Sequence, residues 1–299
     1  MQPIPFVDAH QHFQDIRQNC YPWLSDPDAP AKLEGDITPI RRNYLTDEYR
    51  KDTSTVALLK SVHVQNGWNP SNPVGETRWL EALADRDGLP TAIVAHADLA
   101  APDVESVLKA HTAYPRVRGI RQILNWHSDP KFRVAARPDL LSDPDWRRGF
   151  ALLRKYHLSF DLQIYWPQMA DAYRLAADFP ETLILLNHFG MPVDRSKTGI
   201  ADWAAALKTL AQAPNVLVKL SGLGLGHPHW MLADTGPLLL RAIETFGVER
   251  TMFGTNLPVD TLFAPASRAI ATFLYVTSQC SESERMSLFR TNAELAYRI

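Results

Sequence analysis

The sequence predicts an α/β fold, a single-domain (β/α)8 (TIM) barrel that takes in residues 1–299. Three observations predict it. Eight short apolar or β-branched runs alternate with longer amphipathic stretches, the order that parallel strands joined by right-handed helical crossovers require. Polar and ionisable residues collect where the runs stop, as they do on the C-terminal face of a barrel; packing alone gives no reason for it. No Gly-x-Gly-x-x-Gly follows the first run, so an open dinucleotide-binding sheet lacks its signature.

The strand runs cover residues 6–12, 55–65, 91–96, 117–124, 159–165, 183–188, 216–220 and 251–254. Helical periodicity marks 76–85, 103–113, 145–155, 168–178, 201–211 and 237–246 between and after them. In the first of these Trp79, Leu80 and Leu83 share a face, and Pro102 precedes the second as a helix entry. Two further helices, 265–277 and 281–297, close the chain, and Ser281 with Glu284 forms a capping-box pattern. The glycine-rich stretch 222–226 follows the seventh run and reads as a loop. Residues 14–49 carry Pro, Asp and aromatics without period. Long aperiodic segments in compact domains tend to be functional, so this one is expected to be an insertion covering the barrel mouth.

Composition narrows the partners. The apolar share is 45% and the charged share 21%, ordinary for a soluble chain. With 31 basic and 33 acidic residues the net charge is −2, and no basic stripe points to nucleic acid or an anionic membrane. Cys20 and Cys280 make neither a disulfide framework nor a metal spacing. No signal-peptide pattern opens the chain and no window approaches a ~20-residue apolar span. A cytoplasmic location with reduced thiols is the expectation.

His10 and His12 are the sharpest chemical signal. Residues i and i+2 of a strand share a face, so both imidazoles point into the mouth, close enough to hold one metal ion or one substrate oxygen. His188 ends the sixth run and is a further ligand or a donor to a substrate carbonyl. Arg121, on an inward strand position, is a fork for a carboxylate. Gln163, Lys219 and the aromatics Trp126 and Tyr165 are candidates for substrate binding, and Asn256 and Asp260 follow the eighth run. His63 and His96 read as structural.

The motifs Asp8-Ala9-His10-Gln11-His12, Tyr21-Pro22-Trp23-Leu24, Gly119-Ile120-Arg121, Leu186-Asn187-His188-Phe189-Gly190 and Phe253-Gly254-Thr255-Asn256-Leu257-Pro258 resemble the amidohydrolase-2 branch of the amidohydrolase superfamily. The subgroup they resemble is the lactonase-like one, with sugar-acid lactonases and pyrone-dicarboxylate lactonases. The resemblance implies a (β/α)8 barrel with catalytic histidines at His10, His12 and His188, acting on a small lactone or its hydroxy acid. It also implies an acid at the end of the eighth strand, where this chain has Asn256. An amide takes no proton from water and is a weak metal ligand. Two mechanisms are therefore open. A divalent ion, zinc or manganese, sits on His10, His12 and His188; or no metal is used and the histidines and Arg121 stabilise the oxyanion directly. The base is then Asp260, a histidine or a substrate carboxylate. A lactone isomerase and a small-acid-binding barrel without turnover are the alternatives to hydrolysis.

Overall fold

A computed structural model of the chain describes residues 3–26 and 32–299, so positions 27–31 of the expected 14–49 insertion lie outside the described residues. Eight strands form one parallel sheet in chain order. They are β1 (Pro5–Gln11), β2 (Ala57–Val64), β3 (Ala92–Ala95), β4 (Val117–Ile123), β5 (Ser159–Gln163), β6 (Ile184–Leu186), β7 (Val216–Leu220) and β8 (Thr251–Phe253). Each falls on one of the eight apolar runs. The sequence-order pairing of neighbours is that of a (β/α)8 barrel.

Alternation along each strand divides the core in two. Val7, Ala9, Val62, Val64, Val94 and Met252 fill the barrel interior. Phe6, Ile93, Phe160, Ile184, Val216 and Phe253 face outward, under the helices. β8 returns to β1 through Asn256 N–H donating to His10 O at 2.7 Å and His12 N–H donating to Leu257 O at 2.7 Å. The carboxylate of Asp8 adds a second clasp by accepting from the backbone N–H of Thr255 at 2.9 Å and from its hydroxyl. Gly254 is required here, because a Cβ would lie 2.7 Å from the Cβ of His10.

The helices match the periodic stretches, with two starting early and the last one interrupted: the helix expected from 201 begins at Lys197, and Ser287–Thr291 winds as a π-helical turn inside the expected 281–297. The helix expected to begin at Pro237 starts earlier, at Leu232–Phe246, and holds that proline in its second turn. Ser281 caps the helix Glu282–Met286, and the Glu284 side chain reaches back to the Ser281 amide at 2.7 Å. The last helix, Asn292–Tyr297, plugs the barrel floor with Ala293, Ala296 and Tyr297. Above that plug Lys219 of β7 forms a fully buried ion pair with Asp161 of β5, and Tyr297 Oη donates to Asp161 Oδ2 at 3.0 Å. Inward side chains from alternate strands meet in one layer of such a barrel, so β5 and β7 are the strands that bring this pair together. Among the described residues no helix is long and apolar enough to cross a membrane.

Candidate active site

His12 stands one residue past β1. Its Nδ1–H donates to Val64 O at 2.6 Å, which fixes the tautomer and turns Nε2 outward as the lone-pair nitrogen. His10 is buried beside it, with ring centroids 5.1 Å apart. His188 completes the cluster 4.6 Å from His10, although 178 residues separate the two in the chain. Its position depends on a left-handed turn after β6: φ is 52° at His188, 42° at Phe189, 77° at Gly190 and 48° at Met191. Non-glycine residues in that region cost on the order of 1–3 kcal/mol each and persist only where surroundings hold them. Here Trp203 Nε1 donates to Phe189 O at 2.8 Å. His188 Nδ1 lies 3.0 Å from Ser221 Oγ. Gly222 leaves the space for that ring, since a Cβ there would lie 2.5 Å from His188 Nδ1.

Arg121 enters from β4 and is almost wholly buried. Its Nη1 donates to Gln163 Oε1 at 2.8 Å, its Nη2 donates to Gln65 O, and Nη1 also lies 3.5 Å from His10 Nε2. Burial lowers the guanidinium to about 10, so it is a fixed cation at neutral pH. The imidazoles respond in the opposite sense. Burial first, then the positive charge of Arg121, holds His12 and His188 well below the usual imidazole range. Burial and the charge of Lys219 do the same for His10. All three rings are neutral at pH 7 beside a permanent positive charge.

Asn256, at φ 55°, faces His12 with Oδ1 3.2 Å from Nε2, and its Nδ2 donates to Asp260 Oδ1 at 2.8 Å. With His12 neutral and Nδ1–H committed to Val64, Nε2 and the amide oxygen are both acceptors. Turning the amide over removes the conflict. Nδ2 then donates to His12, and Oδ1 accepts from a protonated Asp260. Burial pushes the Asp260 carboxyl up to about 7, so both arrangements are within reach near neutrality.

These groups open onto a cavity of about 240 Å3 lined by His12, Arg121, Gln163, His188 and Asn256. His10 and Lys219 lie at full burial next to that set. Asp260 is held behind Asn256, its other oxygen accepting from Leu223 N at 2.9 Å. Tyr165 directs its hydroxyl to Phe132 O at 2.8 Å. Trp126 packs its ring under the Arg133 guanidinium, 5.6 Å away. His63 is tied into the fold, accepting from Phe13 N at 3.0 Å. Sequence reasoning missed Trp23, Lys32, Glu34 and Asn66, which also line the cavity. The first three come from the aperiodic segment, where no period shows which side chains face inward.

Comparison with known proteins places this site in a family. A protein of Sinorhizobium fredii named y4mH is 43% identical over 299 residues, the full length of both chains. The L-fucono-1,5-lactonase of Burkholderia multivorans is 29% identical over 304 residues, covering 97% of this chain and 95% of that one. An amidohydrolase from Burkholderia multivorans, crystallised with zinc bound, superposes with a TM-score of 0.81 at 27% identity, covering 98% of this chain and 99% of that one. The family model for amidohydrolases matches residues 7–299, from β1 to the last residue. The match spans nearly the whole barrel, and the chain belongs to the amidohydrolase family.

Proposed function

We propose that the protein is a hydrolase that opens the ring of a small lactone. The observation that carries this reading is one cavity in which a fixed guanidinium, Arg121, meets the neutral imidazoles of His12 and His188. The lactone carbonyl oxygen accepts from Arg121 and from His188 Nε2–H, in the tautomer whose Nδ1 accepts from the Ser221 hydroxyl 3.0 Å away. Such preorganised donors stabilise the charge that develops on the oxygen. His12 Nε2 takes a proton from water as it attacks the carbonyl carbon, and returns it to the ring oxygen as the C–O bond breaks. The product is a hydroxy acid that ionises at neutral pH. His10 acts one step back, its Nε2 facing Arg121. The relatives named for lactone hydrolysis support the reading.

A divalent ion is the cofactor the family suggests, and the side chains here do not fit one. Arg121 brings a positive charge to within 3.5 Å of His10 Nε2, where an ion would need that lone pair. The eighth strand supplies an amide where a carboxylate would offset the charge of the ion. Among the described residues no three His, Cys, Asp or Glu side chains are grouped to hold a metal.

The test is a panel of aldonolactones and carboxylated lactones followed with a pH indicator. Proton release at enzyme-dependent rates is expected, unchanged after dialysis against a strong chelator. Isomer exchange by NMR without proton release would replace hydrolysis with isomerisation, and ligand binding without either would leave a binding protein. Activity lost on chelation and restored by zinc would overturn the metal-free chemistry.

The Asp260–Asn256–His12 chain gives a pH dependence with a definite sign. Protonated Asp260 turns the Asn256 N–H onto the His12 lone pair and blocks the base. Ionised Asp260 draws that N–H away and leaves the amide oxygen facing Nε2, which raises the proton affinity of His12. The rate therefore rises with pH through a midpoint near 7, the value to which Asp260 is pushed. In Asp260→Asn this limb is expected to vanish from the kcat/KM profile. Retention of the same limb in the variant would remove Asp260 from the mechanism.

A further inference from the structure

The cavity has a second wall, and its chemistry differs from the catalytic floor. The aperiodic segment after β1 brings Trp23, Lys32 and Glu34 to the mouth. Trp23 is fixed in place by its Nε1–H donating to Asn66 O at 2.7 Å. Glu34 is half-buried, and among the described residues its carboxylate leans only on its own backbone amide, with Lys32 as the charge nearest to it. It takes part in none of the ion pairs among the described residues. A half-buried carboxylate with one local donor keeps lone pairs free for further hydrogen bonds from a ligand. Burial raises the Tyr165 phenol first, and the charge of Glu34 adds to it in the same sense.

The charges in the cavity therefore divide by wall. On the floor, Arg121 is the buried cation and serves the reacting carbonyl. On the lid, Lys32 and Glu34 oppose one another and leave no net positive charge for a second anionic group. A hydroxyl reaching the lid finds in Glu34 an acceptor with lone pairs to spare beyond its own amide. A carboxylate reaching it meets a like charge.

We infer that Glu34 sets substrate class: it accepts hydrogen bonds from the hydroxyls of an uncharged polyhydroxylated lactone and excludes lactones that carry a ring carboxylate. This rests on the lactone-opening reading of the same site and goes beyond it by naming a discriminating residue. Glu34 touches the part of the substrate that does not react, so its effect falls on the choice between substrates.

The experiment compares kcat/KM for an aldono-1,5-lactone and for a δ-lactone bearing a ring carboxylate, in the wild type and in Glu34→Gln, with thermal melts confirming that both are folded. The wild type is expected to prefer the uncharged lactone by roughly 10-fold or more, and Glu34→Gln to shrink that ratio by about 10-fold, chiefly through a lower KM for the carboxylated substrate. A ratio unchanged within about twofold, or a wild type that prefers the carboxylated lactone, overturns the inference. Should neither lactone turn over, hydrolysis fails and specificity is still read by calorimetric titration. A polyhydroxylated δ-lactam and its carboxylated counterpart serve as probes. Discrimination that Glu34→Gln abolishes supports the role of Glu34; equal binding of both lactams, or discrimination that survives the substitution, refutes it.

Discussion

His12→Ala and His188→Ala are each expected to lower kcat/KM by at least ~100-fold, the usual scale for losing a positioned acid–base group or oxyanion donor. The two losses have different origins. His12 holds its proton on Nδ1 against Val64 O, so Nε2 is the basic nitrogen open to the cavity, and removing it leaves water without an acceptor. The pH limb linked to Asp260 should disappear with it. His188 is the donor, and its loss should fall on kcat with KM little changed, because the oxyanion it serves exists only in the transition state. The left-handed φ of 52° at His188 complicates the alanine variant. His188→Asn tolerates that backbone better and separates lost chemistry from lost folding. Wild-type rates in a folded variant at either position would take that residue out of the mechanism.

What the sequence disclosed follows the reach of its periodicities. Strand positions were legible because inward and outward residues alternate with period two. Val7 and Ala9 go to the barrel interior and Phe6 to the helix layer; the shared parity of His10 and His12 was legible, but the register shift between Asp8 and Gln11 that turns both rings off the Phe6 side and into the mouth was not. Polar residues at strand ends marked the floor of the cavity. Pairing between distant strands was not legible. Nothing in the run around Lys219 announces Asp161, 58 residues away, as its partner. The direction of Asp260 was also hidden, since the 3-10 turn Val259–Leu262 that folds it back onto Asn256 has no pattern of its own. Trp126 and Tyr165 looked like cavity walls from their places after strands; the Tyr165 hydroxyl is engaged by Phe132 O and the Trp126 ring by the Arg133 guanidinium, partners that strand position does not announce. Lys32 and Glu34 escaped because loop geometry, with no repeating face, decides what an aperiodic segment presents.

Replacing Arg121 by Met should cut kcat by ~100- to 1000-fold, the scale observed when one preorganised oxyanion donor is removed. Methionine keeps the unbranched length of the side chain and removes the cation, so the test falls on charge more than on packing. Arg121→Lys should not restore the rate. The three N–H bonds of an ammonium radiate from a single nitrogen, whereas the planar fork reaches Gln163 Oε1 and Gln65 O from two separate nitrogens and keeps an N–H for substrate. The variant carries a second signature that distinguishes electrostatics from general damage. Arg121 is the largest charge effect holding down His12 and His188. Once it is gone the protonated imidazoles lose a repulsive neighbour, and their pKa values rise. Base catalysis by His12 needs the neutral ring, so the lower acidic limb that His12 itself sets, beneath the Asp260 limb near 7, should move to higher pH while the Asp260 limb stays in place. Imidazole proton resonances titrated by NMR should move in the same direction. A slow variant whose imidazoles titrate as in the wild type would place the guanidinium too far from the cluster to polarise anything bound beside it, and the oxyanion would need another donor.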